Sequence, residues 1–564
     1  MVQNVRGRIS IAAYKMRQLT KALYPDAGTE CVLTCLRIGI PMLILFVSQQ
    51  AGAEKRPIGR ELAVPHHIED VVLPSVAISD LLKHGKLIFN ANWTDQDGGG
   101  RPLSKGTGKQ LTDPSQPLVG KRGFNRISAP DANSCTGCHN MPYGISGGGG
   151  DFVTNVFVLG HRFDFATFDQ ADTMPTRGSV DENGQPISLQ SVGNFRATTG
   201  LFGAGFIEML ARQMTDELQG IRDRIKLGET VDLVAKGIFF GKLSRRDDAS
   251  WDTGKVEGLP RLSLTSPTPI DKPTLVIRPW HQAGNVVSIR EFSNNAFNHH
   301  HGIQPTERFG RDTDLDGDGI VNELTQADVT AVSLYQAAIQ VPGRVIPRDP
   351  EIEDAVFAGE KVFNDIGCGR CHTPVLPLDR QGWLYTEPNP YNPPTNLRPG
   401  QGPTVSMDLT SSELPLPRLS PLLPDRDVVF VPAYTDLKLH DITEPDEPDE
   451  AEALDMNWFV WSPKFSGGNR RFLTKRLWGC ANEPPFFHHG LFTTLRQSIL
   501  AHHGEALVER RAFQKISEYE QDSLIEFLKT LQVLPPSTGH LVVDEKFESR
   551  EWPPERLLSN PSKQ

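Results

Sequence analysis

The stretch Gly359 to His372, GEKVFNDIGCGRCH, closes on Cys-x-x-Cys-His and opens as an amphipathic helix, and the organisation of the chain follows from it. Cys368 and Cys371 are spaced to form two thioethers to one haem, and the adjacent His372 is placed to offer an imidazole nitrogen to its iron. The ending is therefore a covalent haem c attachment signature. Upstream, Ala355, Ala358, Val362 and Ile366 recur at helical spacing, which predicts one apolar stripe packed against a haem face or a partner helix.

The signature occurs a second time as CTGCH, with Cys135, Cys138 and His139. Its lead-in has a second copy too, because GKLIFN from Gly85 to Asn90 aligns without a gap on GEKVFN from Gly359 to Asn364. The earlier copy differs by a long insert, Trp93 to Ser134, rich in Gly, Pro, Asp and Lys and read as a loop. Two haem modules in tandem follow. The expected fold is mainly α: two tandem cytochrome c-like haem domains with long irregular loops and few short strands. Residues 54–345 and 346–545 form the two domains, 1–53 a targeting segment and 546–564 a tail.

The chain has 564 residues, ample for a core, and with 23% charged and 38% hydrophobic residues it has the composition of a soluble globular protein. Its net charge of −11 argues against nucleic acid as a partner and towards a basic redox partner, the alternative being a solvated acidic surface. Six basic residues precede the apolar run Ile38 to Val47, and Ala51-Gly-Ala53 offers a small-residue cleavage site. That run is shorter than the roughly 20 residues a bilayer span needs, so export to the periplasm is expected. An anchor through 38–48 is the alternative if cleavage does not occur. Of seven cysteines, Cys31 and Cys35 fall in the targeting segment, four belong to the two signatures and Cys480 remains, so no disulfide framework is available. A four-cysteine zinc site would bring its pairs within roughly 20 residues, whereas these stand in different halves of the chain. A thioredoxin-like motif would need a βαβ context.

Three further stretches carry chemistry. In LFGAGFIEML, Glu208 sits among apolar residues, where desolvation would raise its pKa and suit it to general acid–base work. The alternative is a carboxylate facing outward or locked to Arg196 or Arg212. In DTDLDGDGIVNE, Asp312, Asp314, Asp316 and Glu323, or a frame starting at Asp314 that uses Asp316 and Asp318, have the spacing of a Ca²⁺ loop. An acidic solvated turn is the alternative. Near the C-terminus, Thr494 with Gln497 makes a capping box, and Leu495, Ile499 and His502 share one helix face. His502 is thereby a candidate second axial ligand for the C-terminal haem, with His503 or His488 as substitutes. For the N-terminal haem the histidines available are His161 and the run His299 to His301, read as a solvated turn. Gly147 to Gly150 permit close approach to a flat ligand, or form a flexible loop.

Beyond the two signatures, FNRISAPDANSCTGCHN, LFGAGFIEML, HHHGIQPTERFG, the DxDxDG loop followed by NELT, LHDI at Leu439 to Ile442, and LWGCANEPPFFHHG with TLRQSILAHHGEA together resemble the di-haem oxidoreductase family, related to bacterial di-haem cytochrome c peroxidases. The similarity spans about Gly85 to Leu534. It implies two covalently bound haem c groups and Ca²⁺. It further implies that the haem at His139 reacts with hydrogen peroxide while the haem at His372 relays electrons from a soluble donor such as a small cytochrome or cupredoxin. His502 stands where relatives commonly carry Met, which implies bis-histidine coordination. The sequence departs from the relatives at Phe472-Leu473-Thr474-Lys475, where they read Phe-Arg-Thr-Pro. Trp93 is a candidate electron bridge or an ordinary core residue. A non-catalytic electron carrier, and an oxidase acting on a partner protein or small organic molecule, are the alternatives to a peroxidase.

Overall fold

A computed structural model describes residues 58–99, 132–156, 193–314, 318–422 and 427–444 and, with breaks at 456, 459–461, 463 and 465–466, 451–558. The targeting segment, the anchor alternative, most of the insert and His161 lie outside the described residues. Glu61 to Gln564 form one compact unit. Among the described residues no helix is long and apolar enough to cross a membrane.

Two helix pairs set the frame. Helix α1 (Ile78–Asn90) buries Leu81, Gly85, Ile88 and Phe89. It crosses α4 (Gln326–Ala337), which starts at a capping box formed by Thr325 and Asp328. The crossing point is Gly85, where a Cβ would lie 2.1 Å from the Ala331 carbonyl oxygen, so only glycine lets the backbones approach this closely. The second pair repeats the device. Helix α5 (Pro350–Asp365), capped by Asp349 with Pro350 in its first turn, crosses α8 (Glu518–Thr530), capped by Ser517 and Glu520. At Gly359 a Cβ would lie 1.9 Å from the Ser523 carbonyl oxygen. Phe89 then meets Tyr335 at 5.6 Å between ring centroids, and its counterpart Phe363 meets Phe527 at 5.4 Å. The buried stripe of α5 is Val356, Gly359, Val362 and Phe363, one position round from the expected line, and leaves Ala355 and Ala358 half-buried. Two more helices complete this frame: α2 (Ala204–Arg222), largely buried, and the shorter α3 (Ile289–Ala296), packed on α4. The short helices α6 (Leu495–Leu500) and α7 (Leu507–Lys515) precede α8.

The expectation of a mainly α, cytochrome c-like fold with few strands is overturned. The described residues contain fourteen strands in six small sheets, a mixed α/β architecture. β1 (Gly150–Val156) pairs with β2 (Gly193–Thr198), and β3 (Glu229–Ala235), β4 (Ile238–Arg245) and β5 (Trp251–Val256) form an antiparallel meander. β6 (Gly343–Val345) lies between β13 (Leu531–Gln532) and β14 (Val542–Val543). β7 (Leu376–Asp379) pairs with β10 (Val428–Val431), β8 (Leu384–Glu387) with β9 (Val405–Asp408), and β11 (Leu439–Asp441) with β12 (Arg471–Leu473). Part of the correction falls after the second signature, in β7 to β10. Leu376 and Leu378, Val429 and Val431, and Tyr385 with Val405 and Met407 alternate into the core at the two-residue period of strands. The main core joins both halves of the sequence, from Leu81, Phe206, Leu243 and Leu334 to Leu378, Val431, Trp478 and Val533.

Candidate functional site

The two signature histidines are held alike. His139 Nδ1 lies 3.1 Å from the Gly148 carbonyl oxygen and His372 Nδ1 lies 3.2 Å from that of Tyr434. Each Nδ1–H therefore donates to backbone, which fixes the tautomer and leaves Nε2 with its lone pair as a metal ligand. Burial pushes both imidazoles down to about 4, so both are neutral and ligand-competent at neutral pH. Each follows the same short turn, Cys135–Gly137 and Cys368–Arg370, with its own N–H donating to the first cysteine's carbonyl. Burial pushes the Cys135 and Cys368 thiols up to about 12, which argues against free thiolate nucleophiles at these two positions. The donor set fits a thioether-linked haem with one imidazole below its iron.

His502 follows the last turn of α6, whose Thr494–Gln497 capping box is as expected. Its Nδ1 donates to the Ser498 carbonyl at 2.7 Å, again leaving Nε2, and its ring centroid lies 6.4 Å from that of His372. Imidazole nitrogens bond transition metals at about 2 Å, so one shared ion separates two ring centroids by roughly 6 Å. The substitutes face elsewhere: His503 bonds Arg510 and His488 stacks on Phe472 at 3.5 Å.

Around His139 the neighbours differ. Phe89 lies 6.1 Å away, ring to ring, and Arg476 is near enough for its charge to add to the effect of burial on the His139 pKa. The run His299 to His301 is not a solvated loop but ends a π-helical turn, Phe297–His301, with His301 buried. His301 Nδ1 bonds the Ala132 carbonyl at 2.9 Å and its Nε2 lies 3.4 Å from Cys135 Sγ. Trp93 is a core residue on this same side, edge-on to Phe297 at 5.9 Å.

Glu208 takes up the alternative foreseen for it. Fully buried, it accepts from Arg212 Nη2 at 2.5 Å, Asn389 Nδ2 at 2.8 Å, the Ile289 N–H at 2.7 Å and Trp280 Nε1 at 3.3 Å. A carboxylate with four donors is a structural anchor. The acidic loop is described on both sides of 315–317. Asp312 bonds Asn322, Asp314 accepts from the Gly319 N–H at 3.0 Å, and Asp318 accepts from the Ile320 N–H at 2.8 Å. Glu323 turns inward to accept from the Gln304 N–H at 2.7 Å, and Asp316 lies outside the described residues.

Two features of the site were not read from the sequence. Cys371, Asp436 and His440 bring ligand atoms within 4.8 Å of one another, the one such group of three among the described residues. His440 Nε2 bonds Asp436 at 2.9 Å and Nδ1 bonds Glu505 at 2.7 Å. Burial opposes the charge, but Asp436, Cys371 and Glu505 outweigh it and push His440 up to about 11. With both ring nitrogens on carboxylates, His440 forms an ion cluster beside the second signature. The other feature is Glu483, whose Oε1 accepts from the Gly149 N–H at 2.9 Å, at the first signature. Burial, partly offset by Arg476 and Lys475, pushes it up to about 7. Cys480, three residues before it, is buried against Phe363 and Leu528.

No family model matches the chain and no curated protein matches it. Among solved structures, a hydrazine synthase from Kuenenia stuttgartiensis pressurised with xenon aligns at 13% identity over 57% of this chain and 87% of that one, with a TM-score of 0.24. A likeness that low carries no argument about fold or activity.

Proposed function

We propose that this chain is an exported di-haem c-type oxidoreductase of peroxidase-like type, with a relay centre at Cys368, Cys371, His372 and His502 and a substrate-reactive centre at Cys135, Cys138 and His139. The observation that carries this reading is the pairing of likeness and difference between the two signatures. Both histidines present a neutral Nε2 from a backbone-anchored ring, and His372 has a second imidazole, His502, facing it at 6.4 Å. Bound haem supplies one-electron steps and reductive cleavage of peroxide. His372 and His502 would both bind the iron of the relay haem and so would exclude substrate there. At the other centre His139 holds one face, and Arg476, positioned over Trp280 at 5.7 Å, places positive charge nearby. Glu208 holds the Trp280 indole and Arg212 in place. Electrons would come from a soluble donor protein.

A second reading, a pure electron carrier, is favoured by one observation. Buried His301 is anchored through Nδ1 to a carbonyl beside Cys135, as the axial histidines are. The test begins with intact mass and the denatured pyridine haemochrome, which should give two covalent haems per chain. The half-reduced protein should then show a high-spin iron that binds cyanide and should reduce peroxide with an artificial donor. A mass carrying fewer than two haems overturns the reading. Two low-spin irons in every oxidation state without peroxide consumption leave the carrier.

A further inference from the structure

The peptide group between Gly148 and Gly149 is engaged at both ends. Its carbonyl oxygen accepts from His139 Nδ1 at 3.1 Å, and its N–H donates to Glu483 Oε1 at 2.9 Å. Hydrogen bonds in a chain polarise one another, and those ending on an ionised acceptor are the strong ones. A carboxylate pulling on the N–H makes the carbonyl a better acceptor, and the imidazole bonded to that carbonyl becomes a stronger donor to its metal. The second signature has no such ending. His372 Nδ1 bonds the Tyr434 carbonyl at 3.2 Å, and the N–H of that peptide, on Thr435, donates at 3.0 Å to a neutral carbonyl, that of Thr373.

Resting on the di-haem reading above, we propose that Glu483 is a positioning residue which, acting through the Gly148–Gly149 peptide, increases the electron donation of His139 and sets the N-terminal iron apart from the C-terminal one.

The surroundings are built to hold this contact. Asn482 exchanges two bonds of 2.9 Å with Val533, and the Ala481 N–H donates to Leu531 at 3.0 Å, so the backbone before Glu483 is fixed. Opposite, a Cβ on Gly200 would lie 1.7 Å from Glu483 Oε1 and one on Gly149 3.0 Å away, so the run of glycines makes room for a carboxylate as well as for close backbone approach. Burial outweighs the charges of Arg476 and Lys475 and pushes the carboxyl up to about 7, so the contact carries its full charge above that pH. The carboxylate reaches the first signature across 334 residues, from a segment whose Cys480 side chain packs in the apolar cluster of the second. One short stretch thus touches both centres.

More donation stabilises the ferric state and lowers the reduction potential. Glu483→Gln keeps the shape and removes the charge, so the potential of the His139 haem should rise. We expect a tenfold or larger shift of its ferric–ferrous equilibrium, about 59 mV for one electron, with the His372 haem unmoved. Gly200→Ala, which crowds the carboxylate away from Gly149 without removing it, should shift the same haem in the same direction. It serves as the test if the Gln variant does not fold. Spectroelectrochemical titration of the holoprotein reads both potentials, and the iron–histidine stretching band of the reduced His139 haem should fall in parallel. Two attached haems with neither potential changed, or with both shifted alike, overturn the role of Glu483 and leave the di-haem reading standing. A chain without haem at Cys135 and Cys138 overturns both.

Discussion

His502 lies at the residue scale of the problem, because its assignment turns on one ring. The Ser498 carbonyl occupies its Nδ1, and the ring faces His372, whereas the adjacent His503 is bonded to Arg510. His502→Ala should convert the C-terminal haem from low spin to high spin, and His503→Ala should leave the optical spectrum unchanged. The reverse pattern would move the ligand to His503. The helix before this residue was legible in the sequence through its capping box, a local signal, but it ends at Leu500 and leaves His502 beyond its last turn. Glu483 and His440 were not legible. Glu483 finds its partner in a glycine amide 334 residues away, and His440 is made cationic by Asp436 on its own segment together with Glu505 from another. Spacing along the chain records neither. Glu208 is an intermediate case, since its burial and its Arg212 partner four residues on were legible but its other three donors, Asn389, the Ile289 N–H and Trp280, come from distant segments.

Among the elements, the two helix crossings were half written in the sequence, through the aligned Gly85 and Gly359. Their partners, Ala331 and Ser523, were not, because a glycine at a crossing specifies closeness and not identity. Gly85→Ala and Gly359→Ala should each destabilise the fold by about 1–3 kcal/mol in urea unfolding, as overpacking does. Gly220→Ala, in α2 with only Arg224 within reach at 3.7 Å, should instead stabilise by roughly 0.5 kcal/mol through helix entropy. Equal effects at all three would remove the crossing argument. The sheets were missed because their strands are short and several pair across long separations, as β6 does with β13 and β14. The cap of α4 adds a pH-dependent term. Asp328, fully buried, accepts from His67 at 2.7 Å, His84 at 2.7 Å and the Ile68 N–H at 3.0 Å, tying the start of the compact unit and α1 to α4. Burial opposes its charge, yet the two histidines hold its carboxyl well below the usual 3.8, and His67, against the cost of burial, is raised above 6.5 by Asp328. A lowered acid stabilises above its unfolded pKa and loses that stability as pH falls. A raised histidine stabilises below its unfolded pKa and loses it as pH rises. The stability gap between the native chain and Asp328→Asn should therefore be widest between about pH 4 and 6.5, at roughly 3 kcal/mol, and narrow on both sides. A gap flat from pH 3 to 9 would show that the histidines contribute nothing.

For the whole molecule, the sequence suggested two modules meeting near residue 345, and the structure joins residues from both sides of that point in one apolar core and one buried ionic network. Arg290, with no exposed side chain, bonds Glu307 through Nε at 3.0 and 2.9 Å and through Nη2 at 2.6 Å, and reaches Glu387 in β8 at 3.3 Å. Glu387 accepts from Tyr385 at 2.8 Å, and Arg212 of α2 bonds the Thr386 carbonyl at 2.9 Å. The earlier half thus contributes the cations and the later half part of the acceptor set. Removing one partner of a buried ion pair leaves uncompensated charge and costs about 3–5 kcal/mol. If that cost fell within one module, Arg290→Ala would shift only the unfolding of the His139 haem. Because the network and the core span both halves, the native chain should unfold in urea in one transition, with tryptophan fluorescence and both haem absorbances sharing a midpoint. Arg290→Ala should lower that midpoint for all three probes equally. Separate midpoints, with the His372 haem unaffected by the substitution, would establish two independently stable modules and confine the network to the first.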